Sequence, residues 1–236
     1  MVSLLSPITN FLRRYHRCQL CQLPVADTSI GNKTHMWCHD CLSRFPRPPY
    51  CHRCGRTTLS NTAYCGHCLV EPPPWQHLYR VGEYHFPLRQ LIHQFKFGRQ
   101  FWLAQPLADM LVSEIVQPAP VILPVPLHPL RRFTRGFNQS TLLADAIAKQ
   151  TASRCQPSLL RRQRYTRPQH MLNKSQRQQN LDQAFILKKQ ALPKHVAIVD
   201  DVVTTGSTVA AITTLLQQHG VEKVDIYCIC YTPTDL

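Results

Sequence analysis

The segment Val196-Ala-Ile-Val-Asp200-Asp201-Val-Val-Thr204-Thr205-Gly206-Ser207-Thr208 gathers more chemically useful side chains than any other stretch of the chain. Four apolar residues predict a buried strand, two acids stand at its end, and a hydroxyl-rich turn with one glycine leads into a helix start. In an open parallel sheet, ligands sit beyond the carboxyl ends of strands, where the next helix offers backbone N–H groups to a phosphate. Gly206 lets the backbone approach an anion closely, and Thr204, Thr205, Ser207 and Thr208 can donate hydroxyl hydrogen bonds. Carboxylates repel phosphate, so Asp200 and Asp201 are expected to accept hydrogen bonds from the hydroxyls of a sugar. An ordinary capped helix after a strand accounts for Ser207 but leaves the paired acids unexplained.

The amino-terminal third carries a different chemistry. Eight of eleven cysteines fall in four pairs at one spacing, Cys18/Cys21, Cys38/Cys41, Cys51/Cys54 and Cys65/Cys68. A CxxC pair brings both thiolates to one tetrahedral ion, and two pairs complete four ligands at about 2.3 Å, the chemistry of structural zinc. We expect Cys18, Cys21, Cys38 and Cys41 on one ion and Cys51, Cys54, Cys65 and Cys68 on a second, with cross-braced pairing as the alternative. Gly55 supplies the residue that tight metal knuckles favour, whereas Gln22 and Leu42 do not. His16, His35, His39, His52 and His67 lie nearby and are read as surface residues. Cys155, Cys228 and Cys230 stand apart, and the last two, in an apolar run, are read as core thiols.

Charge narrows the partners. The formal net charge is +14, which two four-thiolate zinc sites at −2 each would bring to about +10, and that sign suits a polyanion. From Ser158 to Leu181 there is no acid but there are Arg161, Arg162, Arg164, Arg167, Lys174 and Arg177, with Tyr165 among them. Cations that track phosphates, with an aromatic able to stack on a base, are the parts of a single-stranded DNA surface. Arg131, Arg132, Arg135 and Gly136 form a second basic loop, whose guanidinium forks suit a diphosphate. No stretch approaches the roughly 18 apolar residues of a membrane span, and the first residues lack a signal-peptide pattern. A cytoplasmic protein is the expectation.

These groups need elements to hold them. Residues 1–74 are proline-rich, carry all four CxxC pairs and lack long apolar periodicity, so metal must supply what a core cannot. Glu71-Pro72-Pro73-Pro74 marks the boundary of a 1–74 zinc domain and a 75–236 domain. After it, LYRVGEYHF predicts a strand, and Pro87 opens a helix with Leu88, Leu91, Ile92 and Phe95 on one face. Leu103, Leu107, Leu111 and Ile115 predict a second helix, Val121 to Leu123 a strand, and Asn138 caps a helix reaching Lys149. Strand, loop and helix recur at Val196 to His219, and Val224 to Cys230 closes the series. Such alternation predicts an α/β fold, a parallel sheet flanked by helices.

The Val196–Thr208 segment resembles the 5-phosphoribosyl-1-pyrophosphate (PRPP) motif of type I phosphoribosyltransferases. The resemblance implies that Asp200 and Asp201 face the ribose 2′ and 3′ hydroxyls, with catalytic weight if the protein is an enzyme. It also implies that Thr204 to Thr208 hold the 5′-phosphate, that the Arg131 to Gly136 loop holds pyrophosphate, and that Mg²⁺ arrives with PRPP. Three further stretches, YHFPLRQLIHQFKFGRQ, PVPLHPLRRFTRGFNQS and QHMLNKSQRQQNLDQAF, together with the CxxC module, resemble the competence protein F (ComF) or GntX-like family over nearly the whole chain. By that match Lys96, Arg135, Gly136, Asn138, Gln139, Gln169, Arg177 and Asn180 fall on family positions. The resemblance implies a double zinc ribbon on a phosphoribosyltransferase-like domain and a role in natural transformation and DNA utilisation; with the basic Ser158 to Leu181 segment, the expectation is a protein that binds PRPP and single-stranded DNA. Two alternatives stay open: an active phosphoribosyltransferase with an unidentified acceptor, and a zinc-ribbon adaptor that recruits a helicase or another DNA-processing protein.

Overall fold

The computed structural model describes residues 17–18, 20–25, 37–127, 136–163 and 184–232. By contact the chain falls into two compact units, Met1–Pro46 and Arg47–Leu236. This line differs from the compositional boundary at residue 74, because residues 47–74 fasten onto the sheet. The Leu78 N–H donates to the His52 carbonyl at 2.7 Å, the Trp75 indole donates to the Arg53 carbonyl at 2.7 Å, and Arg80 Nη2 donates to Thr57 Oγ1 at 2.8 Å.

In the first unit the described residues form a turn around Cys18 and Cys21 and a short helix α1 (His39–Ser43). Trp37 and Phe45 supply its apolar contact, with ring centroids 5.4 Å apart.

The second unit is built on a five-stranded sheet of β1 (His77–Glu83), β2 (Val121–Pro124), β3 (Arg154–Cys155), β6 (His195–Val203) and β7 (Lys223–Tyr231). Every pair in it is parallel and the order is β1-β7-β6-β2-β3. Parallel strands need crossovers, supplied by α3 (Leu88–Phe97) and α4 (Ala104–Val112) after β1, α5 (Gln139–Thr151) after β2 and α6 (Ser207–Gln218) after β6. Helix α2 (Gly66–Val70) belongs to the cysteine-bearing segment. The predicted apolar stripe of α3 is the buried one, since Leu88, Leu91, Ile92 and Phe95 are all inaccessible. Ile115, the last predicted member of the next stripe, lies beyond α4 because that helix ends at Val112.

Strand β6 is apolar on both faces, as a central parallel strand must be. Val196 and Ile198 join a core with Val209, Ile212 and Leu216 of α6, while Ala197 and Val199 are buried outside that cluster. Cys228 and Cys230 on β7 are fully buried, as core thiols.

Two features go beyond what the sequence predicts. β3 is two residues long, and β4 (Leu160–Arg162) pairs antiparallel with β5 (Phe185–Leu187) in a separate two-stranded sheet. Arg161 and Arg162, expected on a basic loop, are therefore strand residues, held by Leu160 and Phe185 in the α6 core. No helix among the described residues is long and apolar enough to cross a membrane.

Candidate functional site

The chain leaves β2 through α5 for β3 at one edge of the sheet, and leaves β6 through α6 for β7 in the opposite direction. β2 and β6 are neighbours, so a crevice opens beyond their carboxyl ends, the place where open α/β sheets bind ligands. The loops after β2 and β6 flank it. These are the two loops singled out for phosphate chemistry, although Arg131, Arg132 and Arg135 lie outside the described residues.

At the end of β6 the paired acids have separate partners. Lys96 Nζ, from the last turn of α3, stands 2.9 Å from Asp201 Oδ1. Ser140 Oγ, from the first turn of α5, donates to Asp200 Oδ1 at 3.0 Å, and the Asp201 N–H donates to the same oxygen at 2.9 Å. Burial and the adjacent Asp201 carboxylate push the Asp200 carboxyl up to about 7, against the opposing pull of Lys96 and the Ser140 hydroxyl. One carboxyl of the pair thus sits near the point where it exchanges a proton at neutral pH.

The start of α5 is fixed by Asn138, whose side chain accepts from the Ser140 N–H at 3.1 Å and donates to the Val125 carbonyl at 3.0 Å. Gln139 is buried and reaches the Lys96 carbonyl at 3.5 Å. Of the matching family positions, Lys96 pairs with Asp201 directly, while Asn138, also read from the sequence as the helix cap, and Gln139 hold Ser140 and Lys96, the residues that touch the acids. Ser140 carries no signal in the sequence beyond its place two residues after an N-cap in the loop-to-helix run.

Beyond the acids, Thr204 and Thr205 are exposed and Ser207 and Thr208 half-buried, and Thr204, Ser207 and Thr208 line a small pocket with Asp200 and Gly206. Thr205 Oγ1 and Ser207 Oγ lie 2.7 Å apart. Helix α6 begins at Gly206, which has φ 73° and no side chain to cap the first turn, so the helix end is one an anion can satisfy. A side chain at 206 would also fail sterically, because a Cβ there would meet Trp75 Cη2 at 2.8 Å.

The eight paired cysteines gather as two groups, Cys18/Cys21/Cys38/Cys41 and Cys51/Cys54/Cys65/Cys68, with each group's sulfurs within 4.8 Å of one another. A regular tetrahedron with metal–sulfur bonds of about 2.3 Å has sulfur–sulfur edges near 3.8 Å. The observed Cys21–Cys38, Cys51–Cys68 and Cys54–Cys65 separations are 3.8, 3.9 and 3.7 Å. The donor sets therefore fit a tetrahedral metal ion, and zinc, redox-inert and tolerant of four thiolates, matches the chemistry.

Both knuckles share one hydrogen-bond pattern. Cys18 N–H donates to the Leu23 carbonyl and Gln22 N–H to the Cys18 carbonyl. Cys51 and Gly55 repeat this with the carbonyls of Arg56 and Cys51. The turn demands a left-handed residue, and Gln22 adopts φ 62° where Gly55 has 83°, at a cost of about 1–2 kcal/mol for the side chain. Cys41 and Cys68 need no such glycine, because they lie within α1 and α2. His39 and His67 are exposed and His52 half-buried.

Among the proposed DNA residues, Arg161 is exposed and Arg162 half-buried with its guanidinium 5.4 Å from the Phe185 ring. Arg164, Tyr165, Arg167, Lys174 and Arg177 lie outside the described residues, as do His16, His35, Gln169 and Asn180. Gly136, at φ 81° in open space, is the described member of the pyrophosphate loop.

Comparison with known proteins agrees with this geometry. The model of the phosphoribosyl transferase domain matches residues 138–236. DNA utilization protein YhgH of Escherichia coli O6:H1 is 39% identical over 227 residues, covering 91% of this chain and 96% of that protein. Competence protein F of Haemophilus influenzae is 35% identical over 201 residues, covering 80% and 88%. The chain belongs to the competence protein F family. A more distant member of the ComF set, competence protein ComFC of Streptococcus pneumoniae, is 27% identical over 206 residues, covering 85% and 90%. The ComF relatives match along both the cysteine-bearing region and the sheet, whereas the domain model matches only from Asn138 onward.

Proposed function

We propose that this protein binds PRPP at the carboxyl ends of β2 and β6, binds single-stranded DNA, and serves in DNA uptake or utilisation. The observation that carries the PRPP reading is the pairing of Asp200 and Asp201 with an uncapped glycine-led helix start at the switch point of the sheet. In this reading Asp200 and Asp201 accept hydrogen bonds from the ribose hydroxyls, and Thr204 to Thr208 hold the 5′-phosphate. Arg131, Arg132, Arg135 and Gly136 hold the pyrophosphate, which carries its Mg²⁺ on its own oxygens. Lys96 must then share Asp201 with the ribose, so ligand entry loosens that ion pair. The DNA reading rests on relatives named for competence and DNA utilisation, on the net charge of +14 and on Arg161, Arg162, Arg164, Tyr165, Arg167, Lys174 and Arg177. Zinc in the two cysteine groups is structural and holds the knuckles.

Three measurements test this. PRPP with Mg²⁺ is expected to raise the thermal midpoint by mass action, and Asp200→Ala with Asp201→Ala to abolish the shift; a shift that survives moves the ribose site elsewhere. Pyrophosphate release in the presence of PRPP, Mg²⁺ and a panel of bases would replace the binding reading with a catalytic one. For DNA, changing Arg161, Arg162, Arg164 and Arg167 to Ala should weaken binding across sequences. It should also flatten the slope of log affinity against log salt by up to about 0.7 for each phosphate no longer neutralised. A variant that keeps both affinity and slope removes these arginines from the interface.

A further inference from the structure

We infer that a second surface, formed by the exposed face of α3 and the turn that follows it, stacks the bases of single-stranded nucleic acid at the rim of the candidate ribose site. The run Phe95-Lys-Phe-Gly-Arg-Gln-Phe-Trp102 places four aromatics within eight residues. One of them, Phe95, is core and packs beside Phe137. The other three are in water: Phe97 is 58% exposed, Phe101 60% and Trp102 47%. Burying a large aromatic is worth up to about 3 kcal/mol, so three left out together, close in the chain, mark an interaction surface.

The backbone holds these rings close together. Arg89, His93 and Phe97 are all exposed and follow one another at i, i+4 and i+8, opposite the buried stripe of α3. The His93 and Phe97 rings lie 5.0 Å apart. Gly98 then caps the helix and Arg99 takes a left-handed φ of 54°. That reversal feeds a 3-10 turn, Phe101–Leu103, in which Leu103 is buried while Phe101 and Trp102 point out, edge to face at 5.3 Å.

The charge around these rings selects the partner. No Asp or Glu occurs between Glu83 and Asp109, whereas Arg89 and Arg99, both exposed, are interspersed with the aromatics. An apolar protein partner needs no such cations, but a strand of nucleic acid needs both, phosphates on the cations and bases on the rings. Position adds to this. Lys96 is paired with Asp201 and its carbonyl receives Gln139, so the residues after it stand at the mouth of the crevice. The inference rests on the DNA-binding reading above but assigns it a surface separate from the Arg161 to Arg177 segment.

The test uses the full chain, zinc-loaded, with a fluorescently labelled oligothymidylate. The triple variant Phe97→Ala, Phe101→Ala, Trp102→Ala should lose at least about tenfold in affinity, the size expected for base-stacking rings. Its salt slope should stay that of the wild type, because no phosphate contact is removed, in contrast to the arginine variant. Trp37 and Trp75 are buried, so indole emission that the oligonucleotide quenches comes from Trp102. Trp102→Phe should keep the affinity and lose the quenching. An unchanged PRPP-induced thermal shift in both variants checks the fold. Wild-type affinity in the triple variant overturns the inference and leaves DNA binding intact. A wild type that binds no oligonucleotide at low salt overturns the DNA reading and this surface with it. A wild-type dimer that the triple variant converts to monomer assigns the patch to a second copy of the chain and overturns it too.

Discussion

Replacing Lys96 by Met probes the ion pair that joins α3 to the end of β6. Lys96 and Asp201 side chains are 18% and 8% exposed, with Nζ and Oδ1 2.9 Å apart. At an effective dielectric near 20, the attraction at that distance is about 6 kcal/mol before desolvation is subtracted. The pair's net worth is far smaller, but removing one partner leaves a buried carboxylate with no cation beside a second carboxyl. Breaking such a pair costs about 3–5 kcal/mol. For a unit of about 150–250 residues this lowers the melting midpoint by about 6–20 °C. Equilibrium urea unfolding followed by near-ultraviolet dichroism gives the free energy, and a thermal scan the midpoint.

The loss should be pH-dependent. Asp200 in the folded protein is raised to about 7, above the roughly 3.9 of an unfolded aspartate. Between those values the folded state binds the extra proton, so this group's contribution is full below about pH 4 and is lost as pH rises towards 7. Without Lys96, which favours the charged form, the folded value climbs further. Below about pH 6 Asp200 is protonated with or without Lys96, so the part of the Lys96→Met deficit that runs through Asp200 is small there and grows as pH rises through 7. Adding Asp201→Leu removes the orphaned charge and should restore most of the stability while abolishing the PRPP response. A Lys96→Met variant within about 1 kcal/mol of wild type at pH 7 would mean that the pair behaves as a solvated surface contact and that the crevice is wet.

Elemental analysis of metal-replete protein should find about two zinc ions per chain, and Cys54→Ser should remove one; a single ion in the wild type would refute two four-thiolate sites. Chelation should lower the melting midpoint of the Arg47–Leu236 unit, because His52, Arg53 and Thr57 of the second knuckle bond to Leu78, Trp75 and Arg80. Ser140→Ala removes a hydroxyl that favours ionised Asp200, so the pH midpoint of the stability profile should move up; no movement would detach Ser140 from the acids. Gly206→Ala combines the cost of a left-handed backbone with the clash against Trp75, whereas Gly136→Ala meets open space and incurs only the backbone cost, about 1–2 kcal/mol. Equal losses at the two sites, measured by denaturant unfolding, would contradict the packing of Trp75 on the α6 start.

Much of the chemistry is local and was readable for that reason. The CxxC spacing reflects the reach of two thiolates to one ion and marks the four pairs, whereas their joining as Cys18/Cys21/Cys38/Cys41 and Cys51/Cys54/Cys65/Cys68, and not cross-braced, was decided by the tertiary structure. The α3 stripe, the Asn138 cap and the β6 to α6 transition are periodicities and caps that a short segment dictates by itself. Contacts between distant segments were not readable. Nothing near Asp200 in the chain announces Ser140 or Lys96, since a hydroxyl and an ammonium acquire their roles only when α5 and α3 pack against the sheet. The left-handed Gln22 was hidden because propensity disfavours it and hydrogen bonding in the knuckle overrides propensity. β3 and the β4–β5 pair are too short to carry a period, and the β4–β5 pair forms because Leu160 and Phe185 find the α6 core. The place where the Arg47–Leu236 unit begins was likewise decided by tertiary structure: composition changes at Pro72–Pro74, but hydrogen bonds from Leu78, Trp75 and Arg80 draw residues 47–74 onto the sheet.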